Sequence, residues 1–139
     1  MNSAEIDNFI KKLRIWSSEQ PDIEASAIVG SWARGTARAD SDIDVILITR
    51  EPAKLLDGNA WVEHFGRIEK LKREDWGLVQ SLRVHYLDGQ EIEFGITTVE
   101  WLSQEEIRLA SGQIMRDAMM IVYDPQQRLG QALLSAQRI

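Results

Sequence analysis

The sequence predicts a single α/β domain, and three stretches of the chain carry that prediction. An amphipathic helix is expected over residues 3–18, because apolar side chains recur there at helical spacing, with Asn2 or Ser3 as its cap. Two apolar runs rich in β-branched residues, at 25–30 and 42–49, are typical of buried strands. Residues 78–97 predict a β-hairpin, because Asp88-Gly89 favours a two-residue connection.

The other elements follow from local patterns. In chain order we expect a loop at 51–59 forming a mobile edge of any site, a short helix at 60–66, a solvated charged run at 67–76, a helix at 98–111 ended by Gly112, a last strand at 119–123, and a final helix capped by Asp124-Pro125. A chain of 139 residues is expected to form one domain, spanning 1–139.

Composition narrows the function classes. The net charge of −6 disfavours a nucleic-acid partner, because proteins that follow a phosphate backbone normally carry a basic face. With no cysteine, neither disulfides nor thiolate metal sites are expected. We find no secretory signal pattern and no apolar run long enough to span a bilayer, so no membrane partner and a cytoplasmic location are expected.

A Gly-Ser pair at the end of the first predicted strand has the character of a phosphate site. Gly30 has no side chain, so a phosphate could approach its backbone closely, and Ser31 adds a hydroxyl donor. Residues 31–37 predict a short helix or turn, whose free backbone N–H groups favour an anion.

Two carboxylates stand at the start of the second predicted strand. Asp42 and Asp44 would share one face of that strand, roughly 6 to 7 Å apart at the backbone. Their mutual repulsion calls for a proton or a cation between them, and a hard divalent ion with oxygen ligands, Mg²⁺ by default, is the simplest answer. Phosphate donors beside a carboxylate-held metal indicate a bound nucleoside triphosphate.

These residues carry a resemblance to a known family. Gly30-Ser31, ten intervening residues and Asp42-Ile43-Asp44 before an apolar run resemble the signature of the DNA polymerase β-like nucleotidyltransferase superfamily. Within this superfamily, the sequence of residues 25–49 is similar to those of minimal nucleotidyltransferases and aminoglycoside-type adenylyltransferases. The resemblance implies a small mixed sheet flanked by helices mainly on one face. It also implies that Ser31 holds the β- and γ-phosphates, and that Asp42 and Asp44 ligate two Mg²⁺ ions, with Mn²⁺ as a substitute.

The resemblance also implies a third carboxylate, on a strand beside the Asp-x-Asp strand and often within an apolar-acid-apolar triplet. Ile92-Glu93-Phe94 matches that triplet, although Asp is the usual acid, so Glu93 is the candidate and Glu91 the reserve. With a two-residue hairpin loop, Tyr86 would face Glu91 and Val84 would face Glu93, which places both acids on one face of the hairpin.

Several other side chains are candidates for lesser roles. Arg34, inside the resembling segment, is expected to counter the triphosphate charge, ahead of Arg38. Trp32 is expected to pack against the sheet rather than flank a nucleotide base. His64 and His85 are not at ligand spacing with each other or with a carboxylate pair, so both are expected to be structural or surface histidines.

The residues and the resemblance together predict a metal-dependent nucleotidyltransferase that moves AMP from ATP to a hydroxyl of a small molecule or protein. Asp42, Asp44 and Glu93 would be its catalytic and metal-binding residues, and Gly30, Ser31 and Arg34 would bind the nucleotide. Larger relatives add a helical acceptor-binding domain; here a homodimer would complete the pocket. Two alternatives stay open: a minimal nucleotidyltransferase antitoxin that modifies a small helical partner toxin of the HEPN class, and a non-catalytic nucleotide-binding module.

Overall fold

The computed structural model describes residues 2–38, 40–103 and 119–137 of the chain. Its elements are, in chain order, α1 (Ser3–Glu19), β1 (Ile23–Val29), α2 (Ser31–Arg34), β2 (Ile43–Thr49), α3 (Pro52–Asp57), a 3₁₀ helix (Asn59–Phe65), β3 (Ile68–Trp76), β4 (Val79–Tyr86), β5 (Glu91–Thr97), α4 (Glu100–Ser103), β6 (Met120–Tyr123) and α5 (Arg128–Gln137). None of the described helices is long and apolar enough to cross a membrane.

The strands form one mixed sheet of six, in the order β3-β4-β5-β2-β1-β6. All neighbouring strands are antiparallel except β2 and β5, which run parallel. Because parallel strands begin at the same edge, the acidic residues that open β2 and β5 are brought together there. This mixed sheet with flanking helices confirms the predicted fold class.

One face of the sheet carries the larger core. Val45 and Leu47 of β2 belong to a cluster that contains fully buried Leu13 of α1 together with side chains of α3 and the 3₁₀ helix. Helix α1 starts at a capping box, in which the Asn2 side chain accepts from the Glu5 backbone N–H at 2.9 Å.

The opposite face carries a smaller core. Ile46 and Ile48 pack there with Trp101 of α4 and Leu129 of α5. Side chains alternate between the faces of a strand, so Asp44 lies on this second face, as does Glu93 on β5. The acids therefore sit on the face with the smaller cluster. Among the described residues, helices contribute to both faces, and more of them pack on the first.

Most predicted elements are confirmed, with shifts of a few residues at their ends. The expected loop at 51–59 is wrong, because Pro52–Asp57 form α3, which starts with Pro at its first turn and buries Leu55 and Leu56. The charged run at 67–76 is the edge strand β3, and the helix expected at 98–111 is described only over α4. Gly112 lies outside the described residues.

The final helix begins later than predicted. Residues 125–126 form a turn, and α5 starts at Arg128. Asp124 still acts as a cap, because its carboxylate accepts from the backbone N–H groups of Leu129 and Gly130 at 3.2 and 2.9 Å.

The predicted hairpin exists, but its predicted register is wrong by one residue. The loop has three residues rather than two: Gly89 donates to the Tyr86 carbonyl at 3.0 Å, and the Tyr86 N–H donates to Gln90 at 2.9 Å. Gly89 has φ +90°, which fits a type I turn followed by a left-handed glycine. Arg83, not Val84, is therefore opposite Glu93.

The same shift changes the partner of Glu91. His85, not Tyr86, lies opposite Glu91. The prediction that Glu91 and Glu93 share a face nevertheless holds, because it depends only on the alternation of β5.

Candidate active site

The predicted phosphate segment and the predicted metal segment meet because of the β1–β2 register. Val29, the last residue of β1, pairs with Asp44 of β2, so Gly30 and Ser31 follow beside Asp44. Gly30 has φ +76° and ψ −153°, a conformation that is essentially restricted to glycine. A Cβ on Gly30 would lie 2.5 Å from Oδ2 of Asp44. The absence of a side chain thus lets the Asp44 carboxylate lie against the turn.

After this turn the chain forms a single helical turn, α2. The helix ends at Gly35, which has φ +75°. Trp32 packs against the larger core, and its indole N–H donates to the Ser41 carbonyl at 3.3 Å. This confirms the prediction that Trp32 packs within the domain.

The two arginines of the segment are both exposed, but they differ in their relation to Asp44. Arg34 is close enough for its charge to lower the pKa of Asp44. For Arg38, the described contacts are backbone ones with Ser41, including a hydrogen bond from its N–H to the Ser41 hydroxyl at 2.8 Å. The geometry is consistent with the preference for Arg34.

Asp44 and Glu93 are side-by-side neighbours on the parallel pair β2 and β5. Burial, and to a lesser extent the charges of Glu93 and Asp42, raise the pKa of Asp44 to about 6. The charges of Arg83 and Arg34 oppose this rise only in part. Asp44 is therefore a partly desolvated carboxyl in a site with excess negative charge.

Asp42 and Glu91 form a second acidic pair, two residues before Asp44 and Glu93 along their segments of the chain. Burial, a hydrogen bond with Glu91 and the charge of Glu91 together raise the pKa of Asp42. Burial also acts to raise the pKa of Glu91, but hydrogen bonds with Arg83 and Asp42 outweigh it and lower that pKa. A hydrogen bond between two carboxyl groups needs a shared proton, so this pair titrates as a unit.

Arg83 on β4 lies at the centre of these acids and was missed at the sequence level. Its Nε donates to Glu74 at 2.9 Å, its Nη1 to Glu91 at 3.0 Å and its Nη2 to Glu93 at 2.7 Å. Asp42 is 3.8 Å from Nη1. These acceptors raise the pKa of Arg83, so it stays charged. The three-residue hairpin loop is the feature that could have revealed it, because the correct register places Arg83 opposite Glu93.

The two histidines have different surroundings. His85 is a partly exposed histidine, as expected, but its Nε2 lies 3.1 Å from Oε1 of Glu91, a contact that the predicted hairpin register did not give. The register shift is again the reason. His64 makes an edge-to-face contact with Phe65, with ring centroids 5.2 Å apart. Of the two, only His85 borders the acidic cluster.

The acids suit a hard divalent cation in chemistry. Asp42, Asp44 and Glu93 offer only oxygen donors, which Mg²⁺ prefers, and the pKa of Asp44 is raised by burial and by the negative charges of Glu93 and Asp42, which a bound cation would offset. Among the described residues, no three His, Cys, Asp or Glu side chains already stand together as a metal site. Glu93 is bound to Arg83 instead. The donor set therefore fits the ion, although the side chains are held in another arrangement.

An apolar cleft of about 310 Å³ adjoins the acids on the same face of the sheet. Asp44 and Glu93 line it, as do the apolar side chains Val29, Ile46, Trp76, Val79 and Trp101. The Trp76 residue is 61% exposed, so its indole is available to a molecule entering the cleft. The cleft thus joins two indoles to the acidic cluster.

Comparison with known proteins agrees with this architecture. Residues 10–112 match the family described as "Nucleotidyltransferase domain". The chain therefore belongs to the DNA polymerase β-like nucleotidyltransferase domain family. No curated protein sequence matches the chain significantly.

Solved structures show the same fold. An aminoglycoside 6-adenyltransferase from Bacillus subtilis is 11% identical, with a TM-score of 0.52 over 68% of this chain and 36% of that one. A cytoplasmic RNA terminal U-transferase is 16% identical, with a TM-score of 0.54 over 82% of this chain and 32% of that one. The Cid1 poly(U) polymerase is 15% identical, with a TM-score of 0.52 over 84% and 35%. The matched part thus spans about a third of each of these proteins.

Proposed function

We propose that the chain is a metal-dependent nucleotidyltransferase that transfers AMP from ATP to a hydroxyl group. One observation carries the proposal. At one edge of the sheet, Asp44 lies beside the Gly30-Ser31 turn and also beside Glu93. The reaction requires a loop that can bind phosphate beside acids that can hold a divalent cation. The aminoglycoside 6-adenyltransferase with the same fold supports the choice of an adenylyl group.

Each proposed role follows from position. Asp42 and Asp44 hold the divalent cations, with Glu93 as the third acid, because Glu93 neighbours the more buried aspartate. The Gly30 backbone and the Ser31 hydroxyl contact the β- and γ-phosphates, while Arg34 offsets their charge. When bound, Mg²⁺ or Mn²⁺ would neutralise phosphate charge and lower the pKa of the acceptor hydroxyl.

The reaction forms one bond and breaks one. The acceptor oxygen attacks the α-phosphorus, and the bond from that phosphorus to the oxygen bridging to the β-phosphate breaks. Pyrophosphate leaves with that bridging oxygen. The hydroxyl proton passes to a carboxylate within hydrogen-bond reach, for which Glu93 is the proposed group.

The cleft bounded by Trp76 and Trp101 suggests which acceptors fit. An acceptor seated there would present its hydroxyl to Asp44 and Glu93 while an apolar or aromatic portion packs on the indoles. We therefore propose an acceptor whose hydroxyl adjoins an apolar group, on a small molecule or on a partner protein. A second copy of the chain could complete this open cleft.

Pyrophosphate release tests the proposal. Wild type, Asp42→Asn and Asp44→Asn are incubated with Mg²⁺ and either ATP or UTP, across a panel of aminoglycosides, phenolic alcohols and candidate partner proteins. The expected result is acceptor-stimulated release from ATP that falls on the order of 100-fold or more in both variants. Full activity in either folded variant would overturn the roles of the acids. Metal-dependent ATP binding without release under any condition would favour a non-catalytic module.

A further inference from the structure

We propose that Arg83 is the positioning residue of this site: it holds Glu93 in place and supplies the positive charge that a divalent cation must outcompete. The part of this inference that concerns the effect of Arg83 on turnover rests on the proposed function. The part that concerns the effect of Arg83 on cation binding rests only on the geometry of Arg83 and the acids around it.

The contacts of Arg83 single it out among the cations of the described residues. All three guanidinium nitrogens donate, each to a different carboxylate, at 2.7 to 3.0 Å. The shortest of these bonds goes to Glu93, the cross-strand partner of Arg83. Its side chain is only 30% exposed, so these bonds are partly shielded from water.

The far side of the guanidinium is anchored as well. Nε is bound to Glu74, which comes from β3 and is not a proposed metal-binding residue. Arg83 is thus fixed between β3 on one side and β5 on the other. A planar fork held at both ends restricts the orientation of Glu93, which a flexible ammonium could not do equally well.

The charge of Arg83 and the geometry of its guanidinium contribute separately to the site, and two substitutions can distinguish them. Arg83→Gln removes both the charge and the fork, whereas Arg83→Lys keeps the charge and loses the fork. Removing a positive charge from the edge of a cation site strengthens divalent binding, by about tenfold for a unit charge near a doubly charged ion. Loosening a carboxylate that must be oriented slows turnover, typically by about 10- to 100-fold.

The proposal therefore predicts opposite changes in two measurements. Mn²⁺ affinity, measured by electron paramagnetic resonance on the protein without nucleotide, should rise about tenfold in Arg83→Gln. In Arg83→Lys it should stay within about twofold of wild type. Turnover, measured with saturating Mn²⁺ and ATP, should fall about 10- to 100-fold in both variants. A residue that serves only the fold would lower affinity and turnover together.

Arg128→Gln is the matched control. Arg128 pairs with Glu24 at 2.8 Å, so this change also removes one charge and one arginine–carboxylate pair. Glu24 lies near the start of β1, the end of that strand away from Gly30. Mn²⁺ affinity and turnover should both remain close to wild type in this variant.

Each outcome decides a part of the proposal. Unchanged or weaker Mn²⁺ binding in folded Arg83→Gln would overturn the claim that the Arg83 charge competes with the cation. Wild-type turnover in Arg83→Lys would overturn the positioning role. If Arg83→Gln does not fold, Arg83→Lys and a Glu74→Gln variant, which frees one end of the fork, still test positioning through turnover. Wild type that binds Mn²⁺ and releases no pyrophosphate would contradict the proposed function, while the affinity changes would still test the competition.

Discussion

Gly30 and Asp44 approach each other so closely that a Cβ on Gly30 would lie 2.5 Å from the Asp44 carboxylate oxygen Oδ2. The β1–β2 register brings them together by pairing Val29 with Asp44. Glycine is thus required at this position for two reasons: its φ of +76° disfavours other residues, and the Asp44 carboxylate leaves no room for a Cβ. The same contact joins the proposed phosphate loop to a proposed metal-binding residue.

A Gly30→Ala substitution should damage both stability and cation binding. The backbone conformation alone should cost about 1–3 kcal/mol of the free energy of unfolding, and the added methyl group must displace the Asp44 carboxylate. Gly77→Ala is the control, because Gly77 also has a positive φ, +77°, and a Cβ there meets nothing within 4 Å. Chemical denaturation and Mn²⁺ titration should show loss of stability in both variants and loss of affinity in Gly30→Ala alone. Equal Mn²⁺ affinity in the two variants would contradict this account.

The pH dependence of cation binding should follow Asp44. Because its pKa in the fold is about 6, above the ordinary 3.8, protons compete with cations at low pH. Mn²⁺ affinity should rise as pH increases from 5 and level off above about 7. Titrations at fixed ionic strength check this, and a flat profile across that range would argue against Asp44 as a ligand.

The same shift fixes how stability changes with pH without divalent cations. A raised carboxyl pKa stabilises the fold below pH 3.8, and that contribution is lost as pH rises through about 6. The melting temperature should therefore decline over this window in wild type, and decline less in Asp44→Asn. Thermal melts in chelator would reveal the difference, and parallel curves would contradict the shift.

Substitution of the two candidate third acids should distinguish them. Glu93 adjoins Asp44, whereas Glu91 shares a hydrogen bond with Asp42 and contacts His85. We expect Glu93→Gln to lower turnover on the order of 100-fold and Glu91→Gln to lower it by about tenfold or less. Steady-state kinetics at saturating ATP provide the comparison. The reverse order would transfer the role to Glu91.

Removing the exposed indole of the cleft should affect acceptor binding. Trp76→Ala should raise the KM of the acceptor severalfold with little change in the KM of ATP, because Trp76 lines the proposed acceptor cleft. Leu87→Ala is a matched control, since Leu87 is also 61% exposed and does not line the cleft. An increase in the KM of ATP instead would show that the cleft holds the nucleotide base.

The sequence pattern predicts the central part of the fold well. Periodicity located α1, β1 and β2, the Asp88-Gly89 pair located the hairpin, and Gly30, Asp42 and Asp44 were predicted as a site from their places at strand ends. These signals are local in the sequence. The register between β1 and β2 then brings Gly30 beside Asp44.

Long-range electrostatics could not be predicted in the same way. Arg83 contacts four acids that come from three other segments of the chain, so no local window shows the cluster. A one-residue error in the hairpin loop also moved Arg83 and His85 to the wrong face, because side chains alternate along a strand. The edge strand β3 was missed because its charges hide the strand pattern.

The position of the transferred label tests the central claim most directly. Wild type and Asp44→Asn are given Mg²⁺, a stimulating acceptor, and ATP labelled at either the α- or the γ-phosphate. The account predicts that the α-label moves to the acceptor and the γ-label appears in pyrophosphate, both dependent on Asp44. Transfer of the γ-label to the acceptor, or equal α-label transfer by Asp44→Asn, would contradict it.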